Sequence, residues 1–368
     1  MKKILFLIHD LGPGGAEKVL VNLVNNMDPE HFDITVMALF GGGVNEQFLK
    51  PHIRYQTVFT KSFRGNSHLM KLFSPKMLHK WFIREYYDIE VSYLEGPCAR
   101  IISGCSDPDT KRISWIHIEQ KTVRSVASSF RSVKEATDCY NRFHILVGVS
   151  EMVKKDFLSL LPIKVPMCVL YNTNETRQIQ KLAQENVKDD VFDTGEIKLV
   201  GVGKLLKNKG FHRMIPIVKK LRQQGHPVHL YILGNGPLKE ELEKQATELG
   251  IADSVTLLGY LTNPYKYVAK CDLFVCASYA EGFSTAATEA LIVGTPVCTV
   301  EVSGMREMLG EHNEWGIVTD NDENALYEGI KKLLDDPALL AYYTKMARQR
   351  GKDFSTENTV KAVEKILK

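Results

Sequence analysis

Hydrophobic residues fall in short, unbroken, β-branched runs separated by longer amphipathic stretches. Ile4–Ile8, Ile34–Leu39, Ile89–Leu94, Arg112–Ile118, Ile145–Val149 and Met167–Tyr171 form a first set. Lys198–Val202, Val228–Leu233, Val255–Leu258, Leu273–Ala277, Pro296–Val300 and Gly316–Val318 form a second. Strict alternation would mark strands with one wet face. Most of these runs are continuously apolar, which marks strands covered on both faces and hence parallel sheets. Helical periodicity fills the gaps, as in Met214–Gln224, Leu238–Leu249 and Asn324–Leu334. Alternating strand and helix predicts doubly wound α/β units. Twelve strands are too many for one ordinary twisted sheet, and polar 173–196 breaks the pattern, with one helix predicted around Thr176–Glu185. The pattern therefore predicts two Rossmann-like domains, 1–172 and 190–353, joined by a linker, 173–189. A last helix, Thr356–Leu367, has no strand after it and could pack on either domain.

Composition narrows the class. The chain has 368 residues, 44% hydrophobic and 25% charged, with a net charge of +3. That is enough apolar content for two cores, and it argues against a disordered chain or a broadly basic nucleic-acid coat. The charge is unevenly placed: residues 1–170 hold 22 Lys/Arg and 17 Asp/Glu, and the remainder 25 and 27. The surplus traces to Thr60–Arg84, where Lys61, Arg64, Lys71, Lys76, Lys80 and Arg84 occur with no acid. Phe63, Leu69, Met70, Leu72, Phe73, Met77, Leu78, Trp81 and Phe82 are interleaved with them. Cations with aromatic anchors suit an anionic membrane surface, with Lys71, Lys76, Lys80 and Trp81 as contacts. An amphipathic helix packed on its own sheet would use the same residues; the membrane reading is favoured.

The basic start Met1-Lys2-Lys3 and its apolar run superficially mimic a secretory leader, but the run is five residues long. A secretory core needs about 7–15. No stretch approaches the roughly 18–20 apolar residues of a membrane span. The seven cysteines include no Cys-x-x-Cys pair and read as reduced, structural thiols of a cytoplasmic protein.

Three places carry candidate chemistry. Gly12-Pro13-Gly14-Gly15-Ala16-Glu17 follows the first strand and opens a helix, Ala16–Asn26. Such glycines let backbone amides approach an anion, or simply make a tight turn; the dinucleotide and P-loop spacings are both missing. Gly201-Val202-Gly203-Lys204-Leu205-Leu206-Lys207-Asn208-Lys209-Gly210 follows the first strand of the second domain. Its lysines could neutralise a diphosphate at the carboxyl end of a parallel strand, where open α/β sheets place ligands. Leu233-Gly234-Asn235-Gly236-Pro237 is its companion at the next strand.

The third is sharpest. Glu281-Gly282-Phe283-Ser284-Thr285 precedes an apolar helix in which Glu289 lies four to five residues inside, about 6–8 Å along the axis. A diphosphate could sit on the amides of the helix start, with a carboxylate on each side accepting from sugar hydroxyls. Glu289 stands beside Ala290-Leu291, and a carboxylate in such company needs a partner. His117 closes the run Arg112–Ile118 at a carboxyl strand end. Asp107-Pro108-Asp109 and Asp320-Asn321-Asp322 read as turns rather than metal sites.

Together these segments resemble the retaining glycosyltransferases of family 4, which have the GT-B fold and serve bacterial surface-polysaccharide assembly. Gly14-Gly15-Ala16-Glu17, Val149-Ser150-Glu151, Tyr171-Asn172, Gly201-Val202-Gly203-Lys204-Leu205 with Lys209-Gly210, Leu233–Pro237 and Glu281-x7-Glu289 occur in the family's order over nearly the whole chain. The resemblance implies a hexosyltransferase using a nucleotide-sugar, with uridine favoured, and moving a hexose or N-acetylhexosamine to a lipid-linked glycan. It implies no metal, no separate cofactor and no nucleic acid, and a place in the cytoplasm or on the inner face of the membrane. The second domain would bind the donor and the first the acceptor, with the final helix, about 354–368, crossing back to the first domain. Lys204, where arginine is commoner, and Lys209 would stabilise the leaving diphosphate. Glu281 would contact the donor sugar beside Gly282, Phe283, Ser284 and Thr285. Glu289 would hold the ribose, and Gly203, Gly234, Asn235, Tyr260 and Leu261 would flank the nucleoside. Gly14 and Gly15 would close on the donor, His117 would stand at the reacting centre, and Asn172 at the hinge. A nucleotide-sugar epimerase of the same fold and a silent partner subunit are the competing readings.

Overall fold

The computed structural model describes residues 1–63, 65–187, 192 and 195–368. Arg64 and the expected boundary at 189–190 lie outside these residues. The chain forms two compact units: Met1–Asn174 with Thr356–Lys368, and Glu175–Ser355.

The first unit is built on seven strands: β1 (Lys2–Ile8), β2 (Phe32–Phe40), β3 (Arg54–Phe59), β4 (Ile89–Ser92), β5 (Lys111–Ile116), β6 (Ile145–Gly148) and β7 (Met167–Val169). Their order is β3-β2-β1-β4-β5-β6-β7 and every pairing is parallel. β1 is an interior strand, and Ile4–Ile8 are fully buried because helices cover both faces. β3 was not legible as an apolar run. It is an edge strand with no buried residue, so its Arg-Tyr-Gln-Thr-Val-Phe sequence has no continuous apolar signature. β4 and β5 also stop sooner than their apolar runs: Leu94, His117 and Ile118 lie in loops past the strand ends. The chain runs from β1 to β3 on one side and returns to β4 on the other, so the carboxyl ends of β1 and β4 flank a topological switch point.

The helix Thr356–Leu367 completes this unit, burying Val360, Val363 and Leu367. The Thr356 hydroxyl donates to the Asn174 carbonyl at 2.6 Å, Lys111 Nζ donates to the Ile366 carbonyl at 2.6 Å, and the Asp28 amide donates to Glu364 at 2.9 Å.

The second unit holds β8 (Ile197–Val202), β9 (Val228–Leu233), β10 (Val255–Gly259), β11 (Leu273–Cys276), β12 (Val297–Val300) and β13 (Ile317–Thr319), in the order β10-β9-β8-β11-β12-β13, again all parallel. The helix Thr176–Ala183 belongs to this unit. Its switch point lies between β8 and β11, so the loops carrying Lys204–Lys209 and Ser278–Ser284 leave neighbouring strands at the same edge. Among the described residues no helix is long and apolar enough to cross a membrane.

Candidate active site

In the second unit, two glycine loops meet backbone to backbone. The Gly203 amide donates to the Leu233 carbonyl at 2.9 Å, and the Leu205 amide to the Asn235 carbonyl at 2.9 Å. Gly234 has φ +141, and a Cβ there would lie 1.9 Å from the Gly203 oxygen. The glycines are thus required by close chain approach. The Gly234 amide donates to the Gly259 carbonyl at 2.7 Å, which brings Tyr260, exposed, and Leu261, half-buried, beside the same loop. Lys204 and Asn235 are exposed here, and Lys204 makes no ion pair among the described residues.

Lys209 ends a short 3-10 turn, Lys207–Lys209, and is followed by Gly210 at φ +68, where a Cβ would lie 1.9 Å from the Ala277 carbonyl oxygen. That contact seats the lysine loop on the end of β11. Lys209 Nζ donates to Glu281 Oε1 at 2.6 Å, and Ser278 Oγ donates to the same oxygen at 2.7 Å. Burial works against the Lys209 ammonium, but the charge and hydrogen bond of Glu281 outweigh it and hold its pKa above that of an ordinary lysine. The lysine is therefore a fixed cation throughout the physiological range.

Arg213, almost wholly buried, braces the same loop. Its guanidinium donates to the Ala277 and Ser278 carbonyls, donates to Asn321 Oδ1 at 3.0 Å, and lies 4.1 Å from the centre of the Tyr279 ring. The Tyr279 amide donates to the Asn208 carbonyl at 2.7 Å, closing the connection between the two loops.

The helix Thr285–Val293 starts at the carboxyl edge. Ser284 caps it, its hydroxyl accepting from the Ala287 amide at 3.3 Å, and Gly282 and Phe283 are buried behind that turn. Gly304, at φ +82, lets the Gly282–Phe283 backbone pack closely. Glu289 is buried in the helix and accepts from the Tyr265 hydroxyl at 3.3 Å, so its apolar neighbours do hide a paired carboxylate. Asp322 caps the helix Glu323–Asp335, and Asp107 accepts from the Asp109 amide at 2.9 Å; both acidic pairs are turns and caps.

In the first unit, Gly14 caps the helix Gly15–Asn26 at the carboxyl end of β1. His117 follows β5, and its amide donates to Glu95 Oε2, beyond β4, at 3.0 Å. Its ring lies 4.7 Å from Tyr93, and Nε2 is buried without a hydrogen-bond partner among the described residues. Burial pushes its pKa down to about 3, partly countered by a hydrogen bond to the Tyr93 backbone, so the imidazole is neutral. Burial also raises the Glu95 carboxyl, against the backbone amides that hold its charged form. Asn172 is buried at the end of this unit, where its carbonyl accepts from Asn174 at 3.3 Å.

The Thr60–Arg84 segment divides its residues. Met70 and Leu78 are buried, and Phe63 packs edge-on against Phe40 and Phe59. Leu72 is 71% and Trp81 43% exposed, with Leu69, Met77, Lys76 and Lys80 also exposed and Lys71 half-buried. The segment forms two short helices, Asn66–Lys71 and Pro75–Phe82; Arg100 donates to the Met70 carbonyl at 2.9 Å and to the Phe73 carbonyl at 2.7 Å in the turn between them.

Residues 183–350 match the family model of glycosyl transferases group 1. The lipopolysaccharide core biosynthesis glycosyltransferase LpsD of Rhizobium meliloti is 32% identical over 344 residues, covering 90% of this chain and 88% of that one. The chain belongs to the group 1 glycosyltransferases. This glycosyltransferase is also 28% identical, over 362 residues and 96% of each chain, to the N-acetylgalactosamine-N,N'-diacetylbacillosaminyl-diphospho-undecaprenol 4-alpha-N-acetylgalactosaminyltransferase of Campylobacter jejuni. Among solved structures, Anabaena HepE in complex with UDP and glucose superposes with a TM-score of 0.78 at 20% identity, covering 100% of this chain and 99% of that one. The glycosyltransferase thus has the GT-B fold, with its last helix returned to the first unit.

Sequence reasoning about this glycosyltransferase missed Ser278, Arg213, Asn321, Tyr265 and Glu95. Apart from Ser278, three residues before Glu281, each reaches its partner through a contact far along the chain. Only Glu95, the residue directly after the run Ile89–Leu94, had a local signal.

Proposed function

We propose that this glycosyltransferase moves a hexose or N-acetylhexosamine from a UDP-sugar to a sugar hydroxyl of a lipid-linked glycan, with retention at the anomeric carbon and no metal ion in the reaction. The observation that carries the reading is the Lys209–Glu281 pair at 2.6 Å, seated by Gly210 at the carboxyl edge of the six-stranded sheet beside a capped helix start. A half-buried lysine with raised pKa, fixed next to amides, supports a diphosphate leaving group. The uridine assignment rests on HepE, solved with UDP and glucose; the acceptor assignment rests on the Campylobacter relative named for an undecaprenol-diphosphate glycan.

The donor's anomeric C–O bond breaks, and its electrons stay on the β-phosphate oxygen. Lys204 and Lys209 neutralise that charge, replacing the role a divalent ion plays elsewhere. The same phosphate oxygen takes the acceptor hydroxyl's proton as the new C–O bond forms on the face it has left, giving UDP and the lengthened glycan. Glu281 orients the donor sugar, Glu289 the ribose, and His117, neutral, offers a hydrogen bond rather than a charge at the reacting centre. The enzyme works at the cytoplasmic face of the membrane, held there through Lys71, Lys76, Lys80 and Trp81.

The test is transfer of labelled sugar from UDP-sugars to a polyprenyl-diphosphate-linked glycan, with no Mg2+ or Mn2+ added. Transfer abolished by Glu281→Ala supports the reading. No turnover with any donor and acceptor would favour a silent partner subunit, and release of an isomerised nucleotide-sugar without acceptor would favour an epimerase.

A further inference from the structure

Away from the sheet edges, three side chains from three elements of the first unit converge. Glu90 lies within β4, fixed in register between β1 and β5, and is 2% exposed. His79 comes from the helix Pro75–Phe82, and Cys105 from the loop after the helix Pro97–Ile102. One ligand atom from each lies within 4.8 Å of the other two. Both Glu90 oxygens converge on a single atom, His79 Nε2, at 2.8 and 3.0 Å. The carboxylate thus faces one point rather than two separate donors.

The convergence is built in. A Cβ on Gly104 would lie 2.1 Å from the Pro75 carbonyl oxygen, so only glycine lets the Cys105 loop lie against the start of the His79 helix. The two Arg100 bonds to the Met70 and Phe73 carbonyls hold the turn before that helix.

An imidazole, a thiol and a carboxylate are the donor set of a borderline-soft ion. With bonds of about 2.0–2.3 Å, a tetrahedral site separates its ligand atoms by about 3.3–3.5 Å. The closest pair, at 2.8 Å, would open by about half an ångström, and a pair at the 4.8 Å limit would close by about 1.3–1.5 Å. Hard ions such as Mg2+ and Ca2+ prefer all-oxygen shells and do not fit a thiolate and an imidazole. His79 and Cys105 are each partly exposed, which leaves an entry path and a fourth position for water.

We propose that His79, Glu90 and Cys105 are the protein ligands of a Zn2+ ion that fastens the Pro75–Phe82 helix to the seven-stranded sheet. The ion takes no part in glycosyl transfer. It braces the helix that presents Lys76, Lys80 and Trp81, joining it to β4 and to the Cys105 loop at one point. The other cysteines do not enter: five are buried elsewhere, and Cys168 is the only other partly exposed one.

The full-length chain, stripped of metal by a chelator and kept reduced, is titrated with Co2+ as a spectroscopic stand-in for Zn2+. The expected result is about one equivalent bound, with tetrahedral d–d bands and a thiolate-to-cobalt charge-transfer band that Zn2+ abolishes by displacement. Cys105→Ser loses the charge-transfer band, His79→Gln weakens binding roughly tenfold or more, and Cys168→Ser changes neither. Zn2+ also protects Cys105 from alkylation in the wild-type chain, read by peptide mass, a measurement that does not need the variants to fold. No thiolate band in the wild-type chain, an unchanged band in a folded Cys105→Ser, or protection of another cysteine in place of Cys105 would overturn the proposal.

Discussion

Lys209 and Glu281 hold each other in place through an ion pair that is largely shielded from water. Replacing Lys209 by Ala removes the cation proposed to face the leaving diphosphate; kcat should fall about 10²–10³-fold, the scale of losing one preorganised stabilising group. Steady-state transfer assays check it, and an unchanged kcat would remove Lys209 from the mechanism. His79 gives a second residue-level prediction. In the metal-free chain burial disfavours its charged form, but hydrogen bonds with Cys105 and Glu90 and the Glu90 charge prevail, raising its pKa from 6.5 to about 9. A raised folded-state pKa contributes stability that is fully present below about pH 6.5 and is lost as pH rises through about 9, up to about 3 kcal/mol. The protection of the Pro75–Phe82 amides against hydrogen exchange, taken relative to their intrinsic rate at each pH, should fall across that window in the wild-type chain, and that fall should vanish in His79→Gln.

The candidate residues legible in the sequence were those that their neighbours along the chain single out. Glu281 and Glu289 stand at fixed spacing around a capped helix start, and Lys209 precedes a glycine at a strand end. The His79, Glu90 and Cys105 cluster was not legible. Its members lie in three elements, and only the strand order and the Gly104–Pro75 approach bring them together.

At the scale of elements, Gly210 makes the lysine loop possible. Gly210→Ala sets a Cβ against the Ala277 carbonyl at positive φ; it should destabilise the second unit by about 2 kcal/mol or more and lower activity by displacing Lys209. Thermal unfolding and transfer rates test both effects. The two short helices of Thr60–Arg84 show why composition alone left two readings open. Leu78 and Met70 do pack inward, while Leu72 and Trp81 stand in water beside the lysines. If the exposed side meets an anionic surface, changing Lys71, Lys76 and Lys80 together to Glu should weaken binding to anionic lipid vesicles by about two orders of magnitude, at roughly 1 kcal/mol per cation. Binding indifferent to both the substitutions and added salt would dismiss membrane contact. Elements buried on both faces were legible from their apolar runs. The edge strand β3 was not, because half of a strand's signal is what covers it.

For the whole molecule, the nucleotide-sugar should act on one unit. A ligand that binds only the folded state raises its unfolding midpoint. UDP-sugars should therefore stabilise the Glu175–Ser355 unit more than GDP-, ADP- or dTDP-sugars do, as read in a thermal-shift screen. Equal shifts for all four would withdraw the uridine assignment. The near-neutral total charge conceals a local cationic patch in one unit and, in the other, a sheet edge where Lys209 is paired with Glu281. Counting charges found the patch but not the edge.

The helix Thr356–Leu367 gives the first unit an unusual history. The second unit is one continuous segment of chain, whereas the first needs a piece synthesised after all of the second. On the ribosome the unit begun first is therefore finished last, reversing the usual N-terminal-first order. Until that helix docks, the surface that receives Val360, Val363 and Leu367 is open, and the second unit has already had time to fold.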